Sequence, residues 1–141
     1  MKSIVGTIFG AMLTLALGAG TAAVERVTVT GEVIDTWCYL SEIMFPLGTA
    51  HHQCAIWCAA GGIPVGLLDE DERVYIILSI ENDSDNVANP TMLEIQSHQV
   101  TVEGEVFERD GITYLTIDKL VNDEGVVNRT ADAYGIQPFG E

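Results

Sequence analysis

The chain has 141 residues, of which 21 are acidic and six basic, a formal charge of −15. A surface of that sign repels phosphate backbones and anionic lipid, which argues against nucleic acid as a partner. The three cysteines form an odd count that a single disulfide cannot use up.

The chain opens on Met1-Lys2, then an apolar run from Ile4 to Leu17, then small residues to Thr21-Ala22-Ala23. This is the pattern of a signal peptide over 1–23, cut after Ala23. The run falls short of the roughly 20 apolar residues that span a bilayer and holds Gly6, Gly10 and Gly18, so cleavage is expected rather than anchoring. The mature chain, 24–141, is then one periplasmic or secreted domain with no membrane contact. It is large enough to bury a core without disulfides.

Residues 26–35 alternate valine and threonine, a strand with one face in a core; Gly31 inside it predicts a bulge or a sharp coil. Trp37 to Phe45 is apolar but irregular and is expected as a loop. Thr49 can cap a helix from Ala50 to about Ala60, ended by Gly61-Gly62. Ile63 to Leu68 is a second strand with Pro64 at its start, Asp69 to Glu72 a turn, and Arg73 to Ile80 a third strand. Asn89-Pro90 predicts a short helix to about Ser97. Gln99–Phe107 and Ile112–Leu120 form a hairpin through Arg109-Asp110-Gly111. The tail is expected to pack back on the barrel through Tyr134, Ile136 and Phe139. Five strands, with a helix inserted between the first and second and a short one between the third and fourth, give the order of an OB-like β-barrel. A five-strand sandwich is the competing architecture.

Residues 38–58 hold every cysteine and two of the three histidines. On a helix over 50–60, His51, Cys54 and Cys58 stand at i, i+3 and i+7 and form one stripe. Cys38 can approach that stripe from the preceding loop. Three thiolates and an imidazole make a ligand set for a zinc ion, and one soft enough for copper. The spacing C-x12-H-x2-C-x3-C matches no standard zinc-finger pattern. It also lacks the Cys-x-x-Cys-His of haem attachment and the Cys-x-x-Cys of thioredoxin-like pairs. The competing reading is a disulfide from Cys38 to Cys54 or Cys58, stapling loop to helix for about 2–4 kcal/mol.

Around this set, Asp35 is a candidate to orient His51, with a turn cap as its commoner role. Tyr39 is a candidate to hydrogen-bond a ligand sulfur. Trp37 and Trp57 are expected to pack around the site and keep water out. His52 is expected at the surface, and Met44 is read as packing.

The segments Gly31-Glu32-Val33-Ile34-Asp35, Cys38-Tyr39, His51-x-x-Cys54-Ala55, Cys58 and Gly61-Gly62-Ile63-Pro64-Val65-Gly66 resemble small exported bacterial proteins of uncharacterised function. The resemblance implies an OB-like domain with a Cys/His cluster and carries no activity with it. Three functions are in play. The first is a metal-binding protein for copper or zinc storage, delivery or sensing, with a periplasmic protein as a further partner. The second is a disulfide-stapled module that binds a protein or glycan. The third is a metal- or thiol-dependent redox enzyme. Binding is better supported than catalysis, because the chain has neither a phosphate loop nor a nucleophile elbow.

Overall fold

The computed structural model describes residues 24–43, 45–81, 83 and 89–138. The candidate signal peptide, Met44 and Phe139 lie outside that set. Among the described residues no helix is long and apolar enough to cross a membrane.

Five strands form the body: β1 (Glu25–Asp35), β2 (Val65–Asp69), β3 (Val74–Ile80), β4 (Gln99–Arg109) and β5 (Ile112–Asp123). They close into a barrel in the order β1-β2-β3-β5-β4. The contact between β3 and β5 is parallel and the others are antiparallel. This is the expected OB-like architecture, and a sandwich is excluded by the closed ring.

β1 is long because it serves two neighbours. Its first part pairs with β4, Arg26 facing Glu105, and its last part pairs with β2, Asp35 facing Val65. Gly31 stands at the changeover and pairs with both Val100 and Asp69. A Cβ there would meet the Leu68 carbonyl oxygen at 2.3 Å, so only glycine lets the strands cross this closely. Gly104 plays the same part on β4, next to a register shift against β5.

Inward residues of all five strands make one core, with Leu67, Ile77, Val102, Leu115 and Ile117 at its centre. Met92 and Ile95 close one end from α3 (Pro90–Glu94) and the turn after it. Asn89 caps α3 by accepting from the Met92 amide, as the Asn-Pro pair predicts. The β4–β5 turn places Asp110 and Gly111 at φ +54° and +80°, the geometry of a two-residue hairpin turn. At the β2–β3 turn, the Asp69 carboxylate accepts from the Asp71 and Arg73 amides, the Arg73 guanidinium and the Tyr75 hydroxyl.

Two expectations are corrected. Thr36–Leu40 is a short helix, α1, not loop. Its cause is Asp35, whose Oδ1 accepts from the amides of Trp37 (2.9 Å) and Cys38 (3.2 Å). In the tail, Ala131 is buried while Tyr134 and Ile136 remain exposed.

Candidate metal centre

The insertion between β1 and β2 carries α1, a 3-10 turn (Gly48–Ala50) and α2 (His52–Ala60). Three contacts hold it in place. The Gly48 amide donates to Glu32 Oε1 at 2.7 Å, and the Thr49 amide donates to the Asn128 carbonyl at 3.0 Å. Thr36 Oγ1 donates to the Pro64 carbonyl at 2.6 Å. Ala55 and Ala59, both small, let α2 lie close on the barrel end. The cysteines therefore occupy the side of α2 that turns toward α1.

α2 begins two residues later than expected. His51 is its N-cap, preceded by the 3-10 turn. Cys54 and Cys58 stand one helical turn apart with sulfurs 4.0 Å from each other. Cys38 reaches them from α1, so that Cys38, Cys54 and Cys58 have all three sulfurs within 4.8 Å of one another. Thiolates about 2.3 Å from a tetrahedral zinc sit about 3.8 Å apart, so little movement is needed to close on an ion. All three thiols are free, and the disulfide staple is not formed.

His51 does not join the three sulfurs in one group. It forms a second group with Asp35 and Cys38, ligand atoms again within 4.8 Å. The four residues expected to surround one point are thus split over two groups that share Cys38. His51 is 1% exposed. Its Nε2 lies 3.5 Å from Asp35 Oδ2, and its Nδ1 is buried with no hydrogen-bond partner among the described residues. A buried imidazole with one long contact and one orphaned nitrogen has donor capacity to spare.

Asp35 is the hub. Besides capping α1, its carboxylate stands 3.5 Å from His51 Nε2 and beside the thiols of Cys38 and Cys58. Burial pushes it upward, but these neighbours outweigh burial and hold it below the usual carboxylate range. The thiols respond in the opposite sense. Burial, and then the neighbouring Asp35 carboxylate, push Cys38 up to about 11 and raise Cys58 further still. A cysteine nucleophile needs the reverse shift, so this environment activates neither thiol for nucleophilic attack.

The expected shield of tryptophans is not there. Trp37 and Trp57 are 62% and 68% exposed, standing outward from α1 and α2 beside the cysteines. Both helices are short, and each turns its other side to the barrel. Tyr39 is half-buried and lines a surface depression with Leu40, Glu42 and Pro46.

His52 corrects another expectation. It is 6% exposed, and its ring lies 5.8 Å from that of His98. His98 in turn contacts Asp123 through Nδ1 at 2.9 Å. No local pattern signals this, since the pairing joins α2 to the residue just before β4. The role of Asp35 was more legible: an Asp just before Thr-Trp-Cys at a strand end has the form of an N-cap.

Comparison with protein families, with curated proteins and with solved structures returned no match.

Proposed function

We propose that this is an exported binding protein for a soft transition-metal ion, copper or zinc, held by the thiolates of Cys38, Cys54 and Cys58 with Asp35 and His51 beside them. One observation carries the reading: three sulfurs from two helices lie within 4.8 Å of one another and are all free. Thiolate donors favour Cu(I) and Zn(II) over hard cations such as magnesium or calcium. The half-buried state of Cys54 and Cys58 gives an ion a way in, while Cys38 forms the buried floor. Capture, storage and hand-over to another exported protein all fit a site at the surface end of a rigid barrel. The signal-like residues 1–23 support an extracytoplasmic setting.

Elemental analysis of protein recovered from the periplasm, with thiol counting, tests the proposal. Bound copper or zinc with the thiols protected from alkylation is expected. Metal-free protein with three reactive thiols that takes up neither ion on titration would overturn it.

A further inference from the structure

We propose that the centre holds two cations, not one, bridged by the thiolate of Cys38. The inference rests on the metal-binding reading above and goes beyond it in stoichiometry and in the ligands of the second ion.

The geometry points there because the donors fall into two groups. Cys38, Cys54 and Cys58 form one, and Asp35, Cys38 and His51 form the other. Each has its ligand atoms within 4.8 Å, and Cys38 is the one member in common. Thiolate sulfur has several lone pairs and can bind two ions at once. An ion among the three sulfurs would leave His51 unused, although its Nδ1 is an orphaned donor or acceptor in a residue 1% exposed.

Charge balance leads the same way. Binding at the three sulfurs displaces three protons, because thiolate is the ligating form. One of those thiols, Cys38, also belongs to the group that contains Asp35. Once the protons are gone, a buried carboxylate stands among three thiolates, a local charge of −4. One Cu(I) leaves −3 and one Zn(II) leaves −2. A second ion between Asp35, Cys38 and His51 reduces this to −2 or to zero. It also gives Asp35 and His51, which meet only at 3.5 Å, a shared partner. Uncompensated buried charge is among the costlier arrangements in a protein, so the second ion has a clear driving force.

The experiment is titration of the reduced mature chain with Cu(I) against a chromophoric chelator, and separately with Zn(II), reading equivalents bound per chain. Two equivalents are expected for the wild type. X-ray absorption of the copper-loaded protein should show a metal–metal scattering shell. His51→Gln, chosen to keep a buried polar side chain of similar reach, should lower the count from two to one. One equivalent in the wild type and no metal–metal shell would overturn the two-ion proposal while leaving metal binding intact. Two equivalents that persist in folded His51→Gln, checked by circular dichroism, would overturn the assignment of the second site. No uptake by the wild type would instead remove the metal-binding reading itself. The wild-type count and the scattering shell need no variant to fold.

Discussion

Asp35 Oδ2 stands 3.5 Å from His51 Nε2, and both side chains are almost wholly buried. The contact joins the last residue of β1 to the residue that opens α2. It is long for a hydrogen bond, so neither partner is fully satisfied by the other. Asp35 therefore has two separable duties: it starts α1 through backbone amides, and it meets the thiols and the imidazole through its side chain.

Asp35→Asn should separate the duties. Asparagine still accepts at the cap, so stability is expected to fall by less than about 1 kcal/mol. Affinity for an ion at the three sulfurs is expected to fall about 10–100-fold, as for other groups that support ligands. Asp35→Ala should lose both, with a stability cost of about 1–3 kcal/mol in chemical denaturation. Equal loss of affinity and stability in both variants would contradict this division.

Glu32 gives a pH prediction. Burial raises its carboxyl to about 7 from 4.5, and the Gly48 amide offsets this only in part. The folded chain therefore keeps a proton that the unfolded chain gives up. The linked stability is fully present below about pH 4.5 and is lost as pH rises through about 7. Its size is at most about 3 kcal/mol. Glu32→Gln keeps an acceptor for Gly48 and removes the titration. The wild type minus Glu32→Gln difference should thus slope between pH 5 and 8, with the variant the more stable at the alkaline end. A flat difference would refute the assignment.

Gly104→Ala should be costly. A Cβ at 104 would meet the Thr116 carbonyl oxygen at 2.0 Å, a backbone atom that cannot swing aside. A loss of about 1–3 kcal/mol or more is expected from thermal or urea unfolding. Gly111→Ala makes a useful contrast, because the added carbon meets nothing within 4 Å there and the cost arises from φ +80° alone.

The two tryptophans offer a direct optical check. Trp37 and Trp57 account for all the indole in the protein, and both are exposed. Acrylamide should quench native and urea-unfolded protein to nearly the same extent, and the emission maximum should barely move on unfolding. Trp57→Ser should change stability by no more than about 0.5 kcal/mol. A strongly protected indole would contradict the outward placement.

The barrel was legible because strands announce themselves by local pattern. Alternation in 26–35 and 99–107, Asn-Pro before α3 and Asp-Gly in the hairpin each act within a few residues. The convergence of Cys38 with Cys54 and Cys58 followed from spacing on one helix plus a nearby strand end. The side on which His51 falls did not. It depends on a 3-10 turn held by Glu32 and Asn128, two residues remote in sequence. The burial of His52 is of the same kind, since its neighbour His98 lies just before β4, remote in sequence. Tryptophans beside cysteines suggested a dry site, but α1 and α2 are too short to bury both their sides.

The partnership of β1 with β4 has a consequence for biogenesis. Arg26 waits for Glu105, so this pairing cannot form until about three-quarters of the chain has been made. Non-local pairing of this kind slows folding. A chain growing from its N-terminus therefore brings out its three sulfurs well before the strands that later hem them in. Through that interval they are open to oxidants and to mispairing, and a reductant or an early-bound ion would protect the nascent chain.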